Sequence, residues 1–240
     1  MRVLLIIPAY NEEANIQKVV ERVTAFAAQK REYELDYIII NDGSKDRTEA
    51  ICREKGYNAV HLIQNLGIGG AVQTGYILAK MEGYDIAVQF DGDGQHDIGS
   101  LDALLEPILR GESDFSVGSR FLDPGAVTFR STFMRRAGIR ILSTILRVFA
   151  GCRLTDPTSG FRAANREALA FLAEDYPADY PEPESIVSLS RNGFRISEVQ
   201  VNMFEREGGV SSISSAKSVY YMFKVSLAIL CTSFQKKRVK

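Results

Sequence analysis

The sequence predicts an α/β fold in which an open, mostly parallel sheet is flanked by helices. Apolar runs of strand length, such as residues 3–7 and 37–40, alternate with segments whose apolar residues recur at helical spacing. The strand runs are apolar throughout, which is typical of parallel strands covered by helices on both faces. This alternation favours right-handed crossovers and a ligand site at the carboxyl ends of the strands.

The predicted elements follow one another along residues 3–118. Strands are expected at 3–7, 37–40, 59–62, 86–90 and 115–118. Helices are expected at 12–29, 46–55, 70–81 and 98–109. Pro8 is expected to end the first strand, and Asn11 or a neighbour is expected to cap the first helix.

Positive charge is concentrated in two segments. Residues 124–155 carry six arginines and residues 214–240 carry six cations, and neither segment contains an acid. On a helical wheel the first segment places Arg136, Arg140, Ser143 and Arg147 opposite Ile141, Leu142, Ile145 and Phe149, and residues 217–234 show a similar division. Basic amphipathic helices of this kind lie in membrane interfaces. An anionic membrane surface is therefore an expected partner, and nucleic acid is not. The alternative is that the apolar faces cover the sheet or each other.

The composition argues against several classes of protein. Three widely spaced cysteines, Cys52, Cys152 and Cys231, argue against a disulfide scaffold or a zinc knuckle and fit a reducing compartment. With two histidines, little room is left for a Ser-His-Asp or Cys-His site. The sequence shows neither a signal-peptide pattern nor an apolar run of about 20 residues. We therefore expect a cytoplasmic protein that is peripheral on the inner face of the membrane.

Asp91-Gly92-Asp93, directly after a buried strand, predicts a metal site. Two carboxylates one residue apart on a turn can reach one hard cation, and Mg²⁺ or Mn²⁺ held in this way keeps positions for water and diphosphate oxygens. Gln95 is placed to add a neutral oxygen ligand. The alternative is that the segment is ordinary turn chemistry.

Three further polar segments bear on the site. Asp42 ends the second predicted strand and is suited to accept hydrogen bonds from a base or a ribose. The turn at 156–162 offers hydroxyls and an arginine to anionic oxygens. A dinucleotide fingerprint starting at Gly67 fails, because the position that needs its last glycine is Val72. For His96 we expect a packing or backbone role.

Five polar motifs occur in order along the chain. They are IPAYNEE at 7–13, NDGSKD at 41–46, DGDGQH at 91–96, GSRF at 118–121 and DPTSGFR at 156–162. Together they resemble family 2 glycosyltransferases of the GT-A fold, and the closest branch is similar to dolichyl- or polyprenyl-phosphate sugar synthases. The resemblance runs from about residue 3 to residue 213.

The resemblance implies roles for several residues. A UDP- or GDP-linked sugar would be held by Pro8, Tyr10, Glu12, Asp42, Asp91 and Arg206. A Mg²⁺ or Mn²⁺ ion would be held by Asp91, Asp93 and Gln95. The phosphate of a polyprenyl phosphate would be held by Arg120, Arg135 (or Arg136), Ser159 and Arg162. The catalytic residues would be Asp93, Arg120 and Asp156. The loop that carries Arg206 departs from the family pattern by reading Ser211-Ser212 in place of Ser-Lys.

The expected function is that of a metal-dependent, inverting hexosyltransferase acting on polyprenyl phosphate at the cytoplasmic membrane face. A phosphate monoester is already ionised at pH 7 and needs positioning by arginines. A hydroxyl acceptor needs a general base, for which Asp156 is the fallback. The alternatives are transfer to a hydroxyl of a cell-surface polysaccharide or lipid-linked glycan, a non-catalytic nucleotide-sugar-binding homologue, and a nucleotidyltransferase.

The expected organisation is one domain followed by a tail. Residues 1–213 form the GT-A domain, with 1–122 binding the nucleotide sugar and 123–213 the acceptor, and residues 214–240 form a basic amphipathic interface helix and tail. Because many relatives carry spanning helices after this point, a small membrane-protein partner is a further expectation.

Overall fold

The computed structural model describes residues 1–122, 133–179, 181–204 and 215–234, which form a seven-stranded sheet with flanking helices. The strands are β1 (Arg2–Ala9), β2 (Glu34–Asn41), β3 (Ala59–His61), β4 (Ile86–Gln89), β5 (Phe115–Ser119), β6 (Arg162–Asn165) and β7 (Ile196–Gln200). The helices are α1 (Ile16–Ala27), α2 (Thr48–Glu54), α3 (Gly67–Met81), α4 (Leu101–Leu109), α5 (Phe133–Ala150), α6 (Arg166–Glu174), α7 (Pro181–Arg191) and α8 (Ser215–Phe234).

The strand order is β3-β2-β1-β4-β6-β5-β7. All pairs are parallel except those of β6, which lies antiparallel between β4 and β5. The chain builds β2 and β3 on one side of β1 and then returns to place β4 on the other side. This reversal leaves a crevice at the carboxyl ends of β1 and β4, where ligands bind in open α/β sheets. The predicted α/β fold class is confirmed.

Alternate residues of β1 face two separate cores. Leu4 and Ile6 pack in a cluster that includes residues of α3, α6 and α7. Leu5 and Ile7 pack in a second cluster with residues of α1 and α4. Each fully buried side chain of this size contributes about 1.5–3 kcal/mol relative to exposure. Burial on both faces explains why the strand is apolar without alternation.

Pro8 does not end the first strand, contrary to the sequence prediction. β1 continues to Ala9, and Pro8 lies opposite Ile40 in the parallel pair with β2. Its carbonyl accepts from Gly92 N–H at 3.2 Å, on the β4 side of the strand. The N–H that proline lacks would face the same side, towards Phe90, one residue beyond the last paired residue of β4. Proline is tolerated here because it stands at the end of this ladder.

Helix α1 begins later than predicted. Asn11 has a φ of +56° and is left-handed, so it neither caps nor enters the helix. The N-cap residue is Asn15, whose side chain makes no capping hydrogen bond. The intervening residues form a loop that lines the candidate site.

The second half of the chain completes the same sheet. Strands β6 and β7 and helices α6 and α7 were not among the predicted elements. Helix α8 packs against α5 and α7, and its Val225 and Ile229 are fully buried. Part of the apolar face of this segment therefore belongs to the core. This agrees with the alternative that the apolar faces of the two basic helices cover the sheet or each other. In the portions of the chain described above, no helix is long and apolar enough to cross a bilayer.

Candidate active site

A cavity of about 1000 Å³ opens at the carboxyl ends of β1, β2 and β4. Its wall includes six residues that the sequence assigned to the donor or the metal, namely Pro8, Tyr10, Glu12, Asp42, Asp91 and Asp93. These residues come from three loops that are distant in sequence, and the parallel strands bring them to one edge of the sheet. Lys45, Asp46 and Asn65 also line the cavity and were not singled out from the sequence.

The loops after β1 and β2 are joined by backbone-to-side-chain hydrogen bonds. Asn11 N–H donates to Ser44 Oγ, and Glu13 N–H donates to Asp46 Oδ2, both at 3.0 Å. Burial alone would raise the pKa of Asp46, but hydrogen bonds from Thr48 and from the Glu13 N–H outweigh it, and the pKa lies below its ordinary value. The Asp46 carboxylate is therefore ionised at neutral pH and holds the two loops together as one wall.

Asp42 joins three elements at the floor of the cavity. Its N–H donates to the Ala9 carbonyl at 2.9 Å, and its Oδ1 accepts from Leu66 N–H, just before α3, at 2.7 Å. Its carbonyl accepts from Asn65 Nδ2 at 3.0 Å. The carboxylate is nearly buried yet borders the cavity, so its position is fixed before any ligand arrives.

Asp91 is held by a buried histidine. The Asp91 N–H donates to His96 Nδ1 at 3.0 Å, so the proton of the neutral ring lies on Nε2. That Nε2 is 3.5 Å from Asp91 Oδ2. The ring of His96 stacks on Phe161, with 5.0 Å between centroids. His96 therefore has the packing and backbone role expected from the sequence.

Gly160 lies directly against the Asp91 carboxylate. A Cβ built on Gly160 would stand 2.5 Å from Asp91 Oδ2 and 3.0 Å from Gln89 Nε2. Real Cβ atoms do not approach a carboxylate oxygen this closely, so only glycine fits. The 156–162 segment thus touches the candidate metal ligand through its backbone.

The donor set fits a divalent ion that is shared with a diphosphate. Asp91 and Asp93 both border the cavity, and Asp93 Oδ1 accepts from Gln95 N–H at 3.0 Å, which fixes the turn. Within the described parts of the chain there is no group of three His, Cys, Asp or Glu residues that could hold a metal. Mg²⁺ commonly binds through one or two carboxylates together with substrate phosphates, so two aspartates match that pattern. Gln95 does not border the cavity, and its carbonyl accepts from Phe204 N–H at 2.7 Å. This geometry gives Gln95 no support as a side-chain ligand.

Arg120 and Asp156 face each other rather than the open cavity. Arg120 Nε lies 2.6 Å from Asp156 Oδ2, and Nη2 lies 2.8 Å from Oδ1. Asp156 is fully buried and Arg120 nearly so. An arginine in a bidentate pair with a carboxylate is already neutralised, and a carboxylate bound in this way is a poor general base. The pair therefore fastens the 156–162 segment to the end of β5.

Ser159 and Arg162 do not fit the expected contact with acceptor phosphate. Arg162 is fully buried, and it donates through Nε to the Ser159 carbonyl at 2.5 Å and through Nη1 to the Glu182 carbonyl at 2.6 Å. Ser159 is also buried, and its Oγ accepts from Phe161 N–H at 3.3 Å. These contacts stabilise the 156–162 segment internally, and they give neither side chain support as an anion ligand.

A second cavity of about 660 Å³ lies beside α5. It is bordered by Phe121, Arg136, Ile139, Arg140, Ser143, Thr144, Leu154 and Thr155. Ser143 Oγ is shielded from water, and no hydrogen-bond partner is found for it in the described structure. The predicted basic face of α5 therefore borders a groove with hydrogen-bond donors.

Two residues that the resemblance assigned to ligands, Arg135 to the acceptor phosphate and Arg206 to the nucleotide sugar, stay predictions. Arg135 lies on α5, but its side chain is outside the described part of the structure, and Arg206 lies outside it altogether.

Helix α5 differs from the helical-wheel expectation in one respect. Leu142 is fully buried, but Ile141 is 54% exposed and Phe149 is 40% exposed. The apolar face is therefore divided between a buried part and an exposed part that lies near the exposed arginines of the same helix. An exposed apolar and cationic surface of this kind is suited to a membrane interface.

A set of polar side chains next to Asp91 was not predicted from the sequence. Gln89, Tyr176 and Glu182 lie there, and burial raises the pKa of Tyr176 and of Glu182 above their ordinary values. A sign of the group was present in the sequence, because Gln89 interrupts an otherwise apolar strand.

Curated relatives match nearly the whole chain. The chain is 33% identical over 247 residues to the UDP-N-acetylglucosamine–dolichyl-phosphate N-acetylglucosaminyltransferase of Methanococcus voltae, covering 95% of this chain and 94% of that protein. It is 31% identical over 234 residues to the polyprenol monophosphomannose synthase of Mycolicibacterium smegmatis, covering 94% and 86%. The relatives thus differ in the sugar that their names carry and agree on a polyprenol-type lipid.

A solved structure supports the fold, and a family model identifies the chain. Glucosyl-3-phosphoglycerate synthase from Mycobacterium tuberculosis, in complex with Mn²⁺, UDP and phosphoglyceric acid, superposes with a TM-score of 0.69 at 19% identity, covering 98% of this chain and 79% of that one. This likeness confirms the expected GT-A-type architecture. The model of the family described as glycosyl transferase family 2 matches residues 4–172. The chain therefore belongs to glycosyl transferase family 2.

Proposed function

We propose that the chain transfers a hexose, with inversion, from a nucleoside diphosphate sugar to a polyprenyl phosphate in a reaction that depends on Mg²⁺ or Mn²⁺. The observation that carries this proposal is the meeting of Asp42, Asp91 and Asp93 in one cavity, with an arginine-bordered groove beside α5. The two relatives described above support the acceptor class, since one is named for dolichyl phosphate and the other for polyprenol. Whether the donor carries UDP or GDP is decided by the experiment below.

The donor lies along the first cavity in this proposal. Asp42 and the joined loops after β1 and β2 receive the nucleoside, and Asp91 and Asp93 hold the divalent ion at the diphosphate. When bound, the ion neutralises the charge that develops on the leaving diphosphate. The chain contributes a carboxylate pair that is fixed by His96, Gly160 and the Asp93–Gln95 turn, so that little reorganisation is needed as the bond breaks.

The acceptor is a phosphate rather than a hydroxyl because the candidate bases are engaged elsewhere. Asp156 is buried in its pair with Arg120, and His96 Nδ1 accepts from the Asp91 backbone. A phosphate monoester, with a second pKa near 6, is ionised at pH 7 and needs no base. Its oxygen attacks the anomeric carbon, and the bond from that carbon to the diphosphate oxygen breaks with its electron pair going to the nucleoside diphosphate.

The groove beside α5 is the proposed acceptor site. Arg136 and Arg140 border it and bring two guanidinium groups to its wall. Arginine guanidinium groups bind phosphate with charge-assisted hydrogen bonds. This placement moves the acceptor contacts from the buried Ser159 and Arg162 to the exposed helix.

The same helix supports peripheral attachment to the inner face of a membrane. Arg136, Arg140 and Arg147 are exposed, and Ile141 and Val148, which follow Arg140 and Arg147 in sequence, are exposed apolar residues. Cations near an anionic leaflet each contribute about 1 kcal/mol, screened by salt. A surface of this kind brings the site to the place where a polyprenyl phosphate is found.

The test is to identify the product. The purified chain is incubated with UDP- and GDP-linked sugars, Mn²⁺ and vesicles that contain a polyprenyl phosphate, and the lipids are analysed by mass spectrometry. We expect a lipid heavier by one sugar residue, and no such product from polyprenol without phosphate. Sugar transferred to polyprenol or to a glycan hydroxyl would contradict the acceptor assignment. Tight donor binding without turnover on any acceptor would indicate a non-catalytic homologue.

A further inference from the structure

Gln89 is a fully buried polar residue at the end of an apolar strand. It is the last residue of β4, two positions before Asp91, and its exposed surface is 0%. A buried carboxamide is costly unless it is hydrogen-bonded, so the partners of Gln89 indicate why it is there. None of the donor, metal or acceptor assignments above uses it.

The carboxamide of Gln89 connects two side chains. Its Nε2 donates to Asp91 Oδ1 at 3.1 Å, and its Oε1 accepts from the Tyr176 hydroxyl at 3.3 Å. The Glu182 side chain is a further close neighbour of Gln89. The Asp91 carboxylate accepts and the Tyr176 hydroxyl donates. The amide nitrogen of Gln89 therefore faces Asp91, and its oxygen faces Tyr176.

The backbone reinforces this connection. Gln89 lies opposite Arg162 in the antiparallel pair of β4 with β6. Arg162 Nη1 donates to the Glu182 carbonyl at 2.6 Å, which ties α7 to the same place. Gly160 lies beside the same pair, since a Cβ built on it would stand 2.5 Å from Asp91 Oδ2 and 3.0 Å from Gln89 Nε2. Asp91 thus has the Gln89 amide on Oδ1 and the Gly160 backbone close to Oδ2.

We propose that Gln89 is a positioning residue, braced by Tyr176 and Glu182, that orients the Asp91 carboxylate for the divalent ion. The inference rests on the proposed function, because it assumes that Asp91 binds an ion together with the donor diphosphate. The brace comes from α7 and from the segment that precedes it, which the sequence assigned to the acceptor half. The metal ligand is therefore held from the acceptor side of the molecule. Partners that orient metal-ligating carboxylates change ion affinity or activity by about 10- to 100-fold when they are removed.

The test compares Gln89→Met with a matched control. Methionine has a similar length and removes every hydrogen bond of the carboxamide. Gln73→Met is the control, because Gln73 Nε2 donates to the Ala173 carbonyl and not to the Asp91 carboxylate. The measurement is the dissociation constant of Mn²⁺, from the electron paramagnetic resonance signal of the free ion, at saturating UDP or GDP, whichever the wild type binds. Folding is verified by the thermal unfolding midpoint, and nucleotide affinity without the ion is measured separately.

We expect Gln89→Met to weaken Mn²⁺ binding about 10- to 100-fold, with nucleotide affinity in the absence of the ion unchanged and Gln73→Met like the wild type. Tyr176→Phe removes only the hydrogen bond from the Tyr176 hydroxyl to Gln89 Oε1. This variant replaces Gln89→Met in the test if Gln89→Met does not fold. We expect it to weaken Mn²⁺ binding at least threefold. Folded variants with Mn²⁺ affinity within twofold of the wild type would overturn the inference. An equal loss of nucleotide affinity without the ion would also overturn it, since the group would then shape the whole cavity. A wild type that binds no Mn²⁺ with nucleotide would instead refute the proposed function, and the inference with it.

Discussion

Arg120 at the end of β5 and Asp156, 36 residues later, form a buried bidentate ion pair, with Nε 2.6 Å from Oδ2 and Nη2 2.8 Å from Oδ1. The pair joins two of the polar motifs and holds the segment whose Gly160 contacts Asp91. The ion pair therefore supports the proposed metal site indirectly, because it helps to position Gly160 next to Asp91.

Replacing Asp156 by asparagine should strongly destabilise the protein. The buried Arg120 guanidinium would lose the charge of the Asp156 carboxylate, and breaking a buried pair in this way costs about 3–5 kcal/mol. The measurement is the free energy of unfolding from urea titration. Glu106→Gln is the matched control, because Glu106 pairs with Arg110 on an exposed helix surface, where such a pair is worth at most about 1 kcal/mol. Equal losses in the two variants would contradict the structural role of the buried pair.

Gly160→Ala should lower the transfer rate with a modest effect on stability. The new Cβ would clash with Asp91 Oδ2 and Gln89 Nε2, so the Asp91 carboxylate must move. We expect kcat/KM to fall at least tenfold, corresponding to about 1.4 kcal/mol. Gly56→Ala, where nothing lies within 4 Å of the built Cβ, serves as the control and should leave kcat/KM unchanged. An unchanged rate in Gly160→Ala would mean that the Asp91 position is not critical.

The sequence predicts the first half of the fold because β1 and β4, at its centre, are mainly apolar and buried on both faces. β6 reads Arg-Ala-Ala-Asn and β7 reads Ile-Ser-Glu-Val-Gln, so neither has that signature. β6 is recruited by antiparallel pairing with β4 and β5, and β7 by pairing with β5. Such long-range pairing leaves little trace in local composition. The second half of the sheet could not be derived from periodicity.

For the site, the sequence identifies residue types but not their partners. Asp42, Asp91 and Asp93 follow parallel strands, and sheet topology brings such positions together. Arg120 and Arg162 also stand in the motifs, but tertiary packing decides whether an arginine faces a ligand, a carboxylate or a backbone carbonyl. Both are turned inwards. The proposed acceptor contacts therefore lie on the surface of α5 and not in these motifs.

Three exposed arginines of α5 should control membrane attachment. We expect the combined change of Arg136, Arg140 and Arg147 to glutamine to weaken binding to anionic vesicles roughly a hundredfold at low salt, since each cation contributes about 1 kcal/mol. Vesicle co-sedimentation measures this. The matched control changes Arg47, Arg53 and Arg110, which are exposed elsewhere, to glutamine. If the two triple variants bind alike, only net charge matters and the α5 surface is not the contact.

Glu184 on α7 should make stability depend on pH. Burial, with a smaller contribution from Asp179, raises the pKa of Glu184 to about 7, from an ordinary value of 4.5. Between pH 4.5 and about 7, Glu184 is protonated in the folded state and ionised in the unfolded state. The stabilisation that Glu184 gives the fold is therefore fully present below about pH 4.5 and is lost as the pH rises to about 7. Glu184→Gln should therefore gain stability relative to the wild type at pH 7.5 more than at pH 5, measured by urea unfolding. Glu167→Gln, at an exposed position on α6, should show no such difference between the two pH values.

The measurement that tests the central claim most directly is the release of nucleoside diphosphate by the full chain, with and without polyprenyl phosphate and with Mn²⁺ or EDTA. The account predicts rapid release only when lipid phosphate and Mn²⁺ are both present, and a loss of at least a hundredfold in Asp93→Asn, since removing an electrostatic contact to the leaving group typically costs about 3–4 kcal/mol. Release in EDTA at the rate seen with Mn²⁺, or release that does not depend on lipid phosphate, would contradict it.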